Sequence, residues 1–328
     1  MIAQITTLGQ TQIGKIPANP YFERNNFVKE QVSEKELSSI HNLGLEKITI
    51  EDLVETKTAF NIIGYDPATK LINLMMDNDV LALARTGLNY HPHLGFIASL
   101  LPRLKKEGGA THLALCLPRC LQRLLDAFVI TGEIVPNLSP IDLSVYGLNE
   151  SNDFVALLQA ARLSGYQITA VEPDNAGIAF DPGHEQQIAK HILTILTGKT
   201  KPKVIFIAPD RHLSRLPIGD WLPVANILKE TGVNIFTVTQ YWHSDFMPKI
   251  LGCLLTGLSR PFAIATKDSK MFKALQSRVL PIEYIVPIHW DLTIIYPRSS
   301  TSQNKLKYTL LKVSAAVSRT FAFGRIGA

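Results

Sequence analysis

Short apolar runs alternate with helical segments from residue 78 onward, and that rhythm constrains the fold more than any other feature of the chain. DVLALAR (79–85) is nearly all apolar and too short for a helix, as expected of a strand buried on both faces. THLALCL (111–117), QITAVE (167–172), KVIFIA (203–208), NIFTVTQ (234–240), PFAIAT (261–266) and DLTIIYP (291–297) repeat the pattern. Between the first two runs, Leu94, Ile97, Leu100, Leu101 and Leu104 recur at helical spacing. Gly108 and Gly109 end that helix, and Pro102 is expected to kink it. Further helices are predicted over 119–132, 153–164, 184–198 and 220–231. Strands alternating with helices predict an α/β fold, a mostly parallel sheet flanked by helices. Residues 1–77 are polar and mixed in charge, and they read as an N-terminal extension or cap. Residues 78–303 form the expected α/β core domain, and 304–328 an amphipathic helical tail.

Composition removes several classes of function. The chain is 46% hydrophobic and 19% charged, which is ordinary for a globular protein and unlike a disordered one. No apolar stretch is long enough to span a membrane, and the N-terminus has no signal-peptide pattern, so a cytoplasmic setting without membrane contact is expected. Cys116, Cys120 and Cys253 have no zinc or redox spacing, which agrees with a reducing compartment. The net charge of +5 comes from scattered residues without interleaved aromatics, which argues against a nucleic-acid partner. A small-molecule substrate is the expected partner, and a homo-oligomer stays open.

In an open parallel sheet, ligands bind outside the carboxyl ends of the strands. The residues that follow each apolar run are therefore the candidates. After 79–85 comes RTGLNYHPHLGF (85–96), which crowds Asn89, Tyr90, His91 and His93 into one turn. Cys116 ends the next run, and Glu172 ends the third. Asp210, Arg211 and His212 follow 203–208, Gln240 and Tyr241 close 234–240, and His289 precedes the last run. EIVPNLSPIDLSVYGLNE (133–150) is long and rich in turn formers, and it reads as a lid or binding loop that brings Tyr146 to the pocket. Plain structural roles compete with each assignment. His91 and His93 would also serve as turn or surface groups, and Cys116 as a small apolar core residue. His41, His184 and His191 read as inert helix-surface residues, and His112 as a hydrogen-bonded core or interface residue. What raises the group above those roles is convergence: two separate strand ends each supply a histidine to one edge of the sheet. No GxGxxG follows the first strand, and GxxxxGK[ST], GxSxG and HExxH are missing throughout.

The order of the pieces resembles the superfamily of erythromycin esterases, ChaN-like haem-binding proteins and Tiki-type metalloproteases. GGATHLALCLPRCLQRLLDAFVITGEI looks like its second block, SGYQITAVEPD like the next strand, and HEQQIAKHIL with KVIFIAPDRHL like the later helix and strand that end in a histidine. DLTIIYPRSS is similar to the closing strand, so the resemblance spans roughly residues 78–303. The chain departs from the pattern at the acidic positions. Leu88 and Asn89 stand where the family has Gly and Glu before the histidine, here His91, and Cys116 stands where it has Glu. DPGHE (181–185) lacks the arginine common before that helix, while His212 is kept.

Losing two carboxylates removes charge that would hold a hard divalent metal, so no metal is expected. The first expectation is a metal-independent enzyme acting on a small organic molecule, by hydrolysis or by acid–base elimination, hydration or cyclisation. His91 and His212 supply the general base, Asn89 and Tyr90 orient the reacting oxygen, and His93 and Cys116 complete the catalytic set. Glu172, Arg211, Gln240, Tyr241, His289 and Tyr146 contact substrate. No cofactor is expected. Haem or a divalent metal is the alternative, and a haem or porphyrin binder or a pseudoenzyme that keeps its pocket is the alternative function.

Overall fold

In the computed structural model, the described residues are 66–85, 92–135, 152–174, 181–217, 220–242, 262–265 and 290–296, with three isolated positions at 38, 49 and 51. They form helix α1 (Pro67–Asp77), strand β1 (Val80–Arg85), α2 (Pro92–Lys106), β2 (Ala110–Pro118), α3 (Gln122–Thr131), α4 (Asn152–Leu163) and β3 (Gln167–Glu172). Then follow α5 (Pro182–Leu196), β4 (Lys203–Pro209), α6 (Val224–Glu230), β5 (Ile235–Trp242), β6 (Phe262–Ala265) and β7 (Leu292–Tyr296). The strands make one sheet in the order β3-β2-β4-β1-β5-β7-β6, parallel throughout except that β6 runs antiparallel to β7. The mostly parallel α/β fold expected from the sequence is the observed one.

Local chemistry sets the ends of the elements. Helix α5 starts two residues before its expected start because the Asp181 carboxylate accepts the Gly183 N–H and Pro182 takes the first helical turn. Helix α6 starts four residues late, because Pro223 lacks the N–H that a helix interior needs. The segment expected as one helix over 119–132 is split, with a 3-10 turn at Arg119–Leu121 leading into α3. Gly132 then closes α3 in the left-handed conformation, at φ 79°, with its N–H on Phe128 O. Helix α1 lies before residue 78, yet it buries Leu71, Ile72 and Met75 in the same core as the sheet. Asp66 caps it through Thr69, and Lys203 of β4 donates to the Met75 carbonyl near its far end. No described helix is long and apolar enough to cross a membrane.

The connections place the site. Helices α2, α3 and α4 pack with α1 on one face, in the cluster that holds Leu81, Leu83, Leu113, Leu115, Ile205 and Ile207. Alternation sends Ala82, Ala84, Ala114, Cys116, Phe206 and Ala208 to the other face, which α5 and α6 cover with Ile188, Ile192, Val224 and Leu228. Strand β1 therefore leaves toward one face and its neighbour β4 toward the other. A reversal of this kind opens a crevice at the carboxyl ends, where such sheets bind ligands.

Candidate functional site

Strand β4 runs apolar from Val204 to Ala208 and ends at Pro209, which passes the chain into a 3-10 turn, Asp210–Leu213. That turn folds His212 inward until only 2% of it is exposed. His212 Nδ1 lies 2.7 Å from Oε1 of Glu185, itself 1% exposed, and the other oxygen, Oε2, accepts the Val224 N–H at 3.0 Å. Both oxygens of a buried carboxylate are thus satisfied, as burial of that charge requires. On the far side of the ring, Arg211 Nε donates to His212 Nε2 at 3.4 Å. These two contacts assign the neutral tautomer with Nδ1–H on Glu185 and the Nε2 lone pair facing outward. Beside it, His184 Nε2 sits 3.4 Å from Oε1 of Glu172, and the His184 and His212 ring centroids are 5.9 Å apart. The Trp221 ring meets His212 nearly edge-on at 6.3 Å.

Helix α5 delivers Glu185 and His184 for a reason visible in its sequence. Its buried stripe is Ile188, Ala189 and Ile192, and one turn back the same stripe falls on His184 and Glu185. The expectation that His184 is an inert surface residue is thereby corrected: it is 9% exposed and belongs to the cluster. His191 is corrected too, since it is half-buried with Nδ1 2.7 Å from the Val171 carbonyl. Glu185 was not among the expected residues, although the continuation of the apolar stripe marks it.

Cys116 is 3% exposed near the end of β2. Burial pushes its thiol well up, and the Glu172 charge adds to that, while Arg85 opposes it. A thiol held in that form is a poor nucleophile, and Cys116 packs as a small apolar residue. Glu172 ends β3 against His184, and Arg211 touches His212. Gln240 and His93 both meet Tyr296. Gln240 Nε2 donates to the Ala84 carbonyl at 2.7 Å and its Oε1 accepts Tyr296 Oη–H at 2.7 Å. The buried His93 ring lies 5.4 Å from the Tyr296 ring, so these three tie β1, β5, β7 and α2 together. Tyr241 is placed in β5 by its backbone alone. Asn89, Tyr90, His91, Tyr146 and His289, with most of the 133–150 loop, lie outside the described residues.

Among the described residues, His184, Glu185 and His212 are the group that offers three metal-ligating atoms within 4.8 Å of one another. Two contacts count against a resident cation there. Both Glu185 oxygens are already occupied, and the Arg211 guanidinium faces the nitrogen that would have to bind. A catalytic zinc normally has three protein ligands and an open position. What the arrangement offers instead is a histidine oriented by a carboxylate, whose second nitrogen is a proton acceptor once Arg211 turns aside.

Fold and site together define an α/β protein with a buried carboxylate–histidine pair at the carboxyl edge of its sheet. No family model matches the chain, and no curated protein matches it. Among solved structures it is similar to a chain described under bacterial protein toxins, at 19% identity over 62% of this chain and 45% of that one, TM-score 0.42. It is also similar to the type III effector HopBA1, at 12% identity over 71% and 94% of the two chains, TM-score 0.44. ChaN of Campylobacter jejuni, described with cofacial haem, is similar at 12% identity over 71% and 92%, TM-score 0.41. ChaN is one of the groups that the sequence resemblance names, and the chain spans less than half the length of the toxin chain. The functional reading rests on this chain's own residues.

Proposed function

We propose that this protein is a metal-independent enzyme that acts on a small organic molecule, with His212 as general base. One observation carries the reading: a fully buried Glu185 carboxylate holds His212 Nδ1 at 2.7 Å, which makes Nε2, in contact with Arg211 at 3.4 Å, the acceptor nitrogen of the ring. A buried carboxylate fixes the tautomer and ring orientation and stabilises the imidazolium that forms when Nε2 takes a proton. A positioned base of this kind contributes roughly 10²–10⁴-fold in rate. Hydrolysis uses it to activate water, and elimination, hydration or cyclisation uses it to remove a proton from the substrate. His184 and Glu172 flank the same crevice, and no metal or cofactor enters the scheme.

The test is a screen of EDTA-treated protein on small esters, lactones and hydroxy acids, followed by His212→Asn. The expected outcome is a drop in kcat of about 10²–10⁴-fold with the fold retained by circular dichroism. Turnover that survives the substitution, or that needs added zinc, would overturn the proposal. Haem binding without turnover would instead support the binding-protein alternative.

A further inference from the structure

We infer that His184, held by Glu172, is a second catalytic residue of this site: it gives a proton to the leaving oxygen of the substrate and regains one from His212. This rests on the acid–base reading above and adds the group that completes its proton transfers.

Two carboxylate–histidine pairs stand side by side at this edge. His212 Nδ1 lies 2.7 Å from Glu185 Oε1, and His184 Nε2 lies 3.4 Å from Glu172 Oε1. Each histidine has an acid of its own, because Glu185 uses its two oxygens on His212 and the Val224 N–H. The start of α5 does not need a histidine at this position. Pro182 fills the first turn, the Asp181 side chain caps the Gly183 N–H, and the Asp181 carbonyl accepts the His184 N–H. An aliphatic residue at 184 would simply continue the buried stripe of Ile188, Ala189 and Ile192. A buried charge-capable pair in place of apolar packing adds little or nothing to stability, so a second pair beside the first points to chemistry.

Position fits the role. The two ring centroids are 5.9 Å apart, with the planes 33° from parallel. A ring nitrogen of each lies within 4.8 Å of one of the other, a gap that one oxygen spans with two hydrogen bonds of about 2.8 Å. Access differs between them: the His184 side chain is 10% exposed and that of His212 2%. His184 is thus the ring nearer to what enters the crevice, and Glu172, at the carboxyl end of β3, orients it. The protons then balance. Once Arg211 turns aside, His212 Nε2 removes a proton from water or from the substrate. The bond to the leaving oxygen breaks with its electron pair on that oxygen, and His184 supplies the proton that neutralises it. The proton on His212 passes to His184 through a water between the rings, and the site starts the next cycle unchanged. Without His184 the leaving group would depart as an unprotonated alkoxide, which is the slower route.

The test compares two probe esters of one acyl group, ethyl acetate and p-nitrophenyl acetate, with the full-length protein. Ethoxide needs a proton to leave, and p-nitrophenolate does not. His184→Gln is expected to lower kcat on ethyl acetate at least tenfold more than on p-nitrophenyl acetate, since a positioned acid contributes roughly 10²–10⁴-fold. Glu172→Gln keeps the ring but loses the carboxylate that orients it, so the same selective loss is expected in smaller measure. If His184→Gln does not fold by circular dichroism, Glu172→Gln carries the test. His212→Asn should lower both activities by similar factors. Equal loss on both esters in His184→Gln, or loss on neither, overturns the inference and leaves the base assignment standing. Unchanged activity in His212→Asn instead removes the base on which the inference rests. If the parent protein hydrolyses neither ester, diethyl pyrocarbonate at pH 7 decides, with the modified histidines found by mass spectrometry. Carbethoxylation of His184 ahead of His212 is expected, and an unmodified His184 overturns the inference, because a group that delivers protons must be reached from the crevice.

Discussion

The two faces of the sheet use the same strands for opposite ends. Toward α2, α3 and α4 the strands present Leu81, Leu83, Leu113, Leu115, Ile205 and Ile207, a continuous aliphatic layer. Toward α5 and α6 they present Ala82, Ala84, Ala114, Cys116 and Ala208, which are small, with Phe206 as the one large side chain among them. The large side chains make the first face the greater source of hydrophobic stabilisation, at roughly 25 cal/mol per Å² of apolar area removed from water. The small ones let α5 and the 3-10 turn approach the sheet, and near its carboxyl edge that face holds His184, Glu185 and His212 instead of leucines. One face is built to bury area, and the other gives up area so that polar groups can be held inside.

The sharpest way to break that contrast is at Glu185. Glu185→Ala leaves His212 Nδ1–H and the Val224 N–H without acceptors in a buried site, and each such unsatisfied donor costs about 1–3 kcal/mol. Glu185→Gln keeps the shape and one acceptor oxygen, so it should lose much less stability. It should still lower kcat, because a neutral amide does not stabilise the imidazolium. Urea unfolding with parallel kinetics separates the two. Equal stability loss in both variants would mean that packing, rather than the hydrogen bonds, holds the cluster.

The faces should also respond oppositely to changes of size. Leu83→Ala on the aliphatic face is expected to cost about 2–5 kcal/mol, with turnover unchanged. Ala82→Leu, one residue away and pointing to the polar face, is expected to cost about 1–3 kcal/mol by overpacking. Because β1 packs against the 3-10 turn that carries His212, it should also reduce turnover. Denaturation midpoints and activity measured on the pair check this. A Leu83→Ala variant that loses activity as strongly as Ala82→Leu would show that the faces are not independent.

The strands were legible because a parallel sheet covered on both sides writes itself as short apolar runs, and each expected run falls within two residues at either end of an observed strand. Helix α1 was missed because its buried positions, Leu71, Ile72 and Met75, are set in a polar region that gave periodicity only in pieces. His212 could be found because it follows a strand, and strand ends are where a sequence points to chemistry. Glu185 and His184 come from a helix start, where polar residues usually cap or face solvent, so their type suggested the surface. Only the phase of the apolar stripe behind them tells otherwise, and that phase depends on placing the helix start at Pro182.

The smallest expected effect concerns Asp210, which lies beside the polar cluster without taking part in it. Burial raises its carboxyl above the ordinary value, while the Arg211 backbone N–H and the Arg211 charge only partly oppose that. With the folded value above the unfolded one, protonation favours the folded state. The stability this contributes is fully present below the unfolded value near 4 and is lost as pH rises through the folded one. At pH 7 the charged group is therefore a net cost, whereas Asn would still offer an oxygen to the Arg211 N–H now held at 2.8 Å. Asp210→Asn should raise Tm by about 2 °C at pH 7. The gain should shrink toward zero as the pH is lowered through 4. Thermal melts at both pH values decide it. A variant less stable than the parent at pH 7 would show that the Asp210 charge is held by Arg211 beside it.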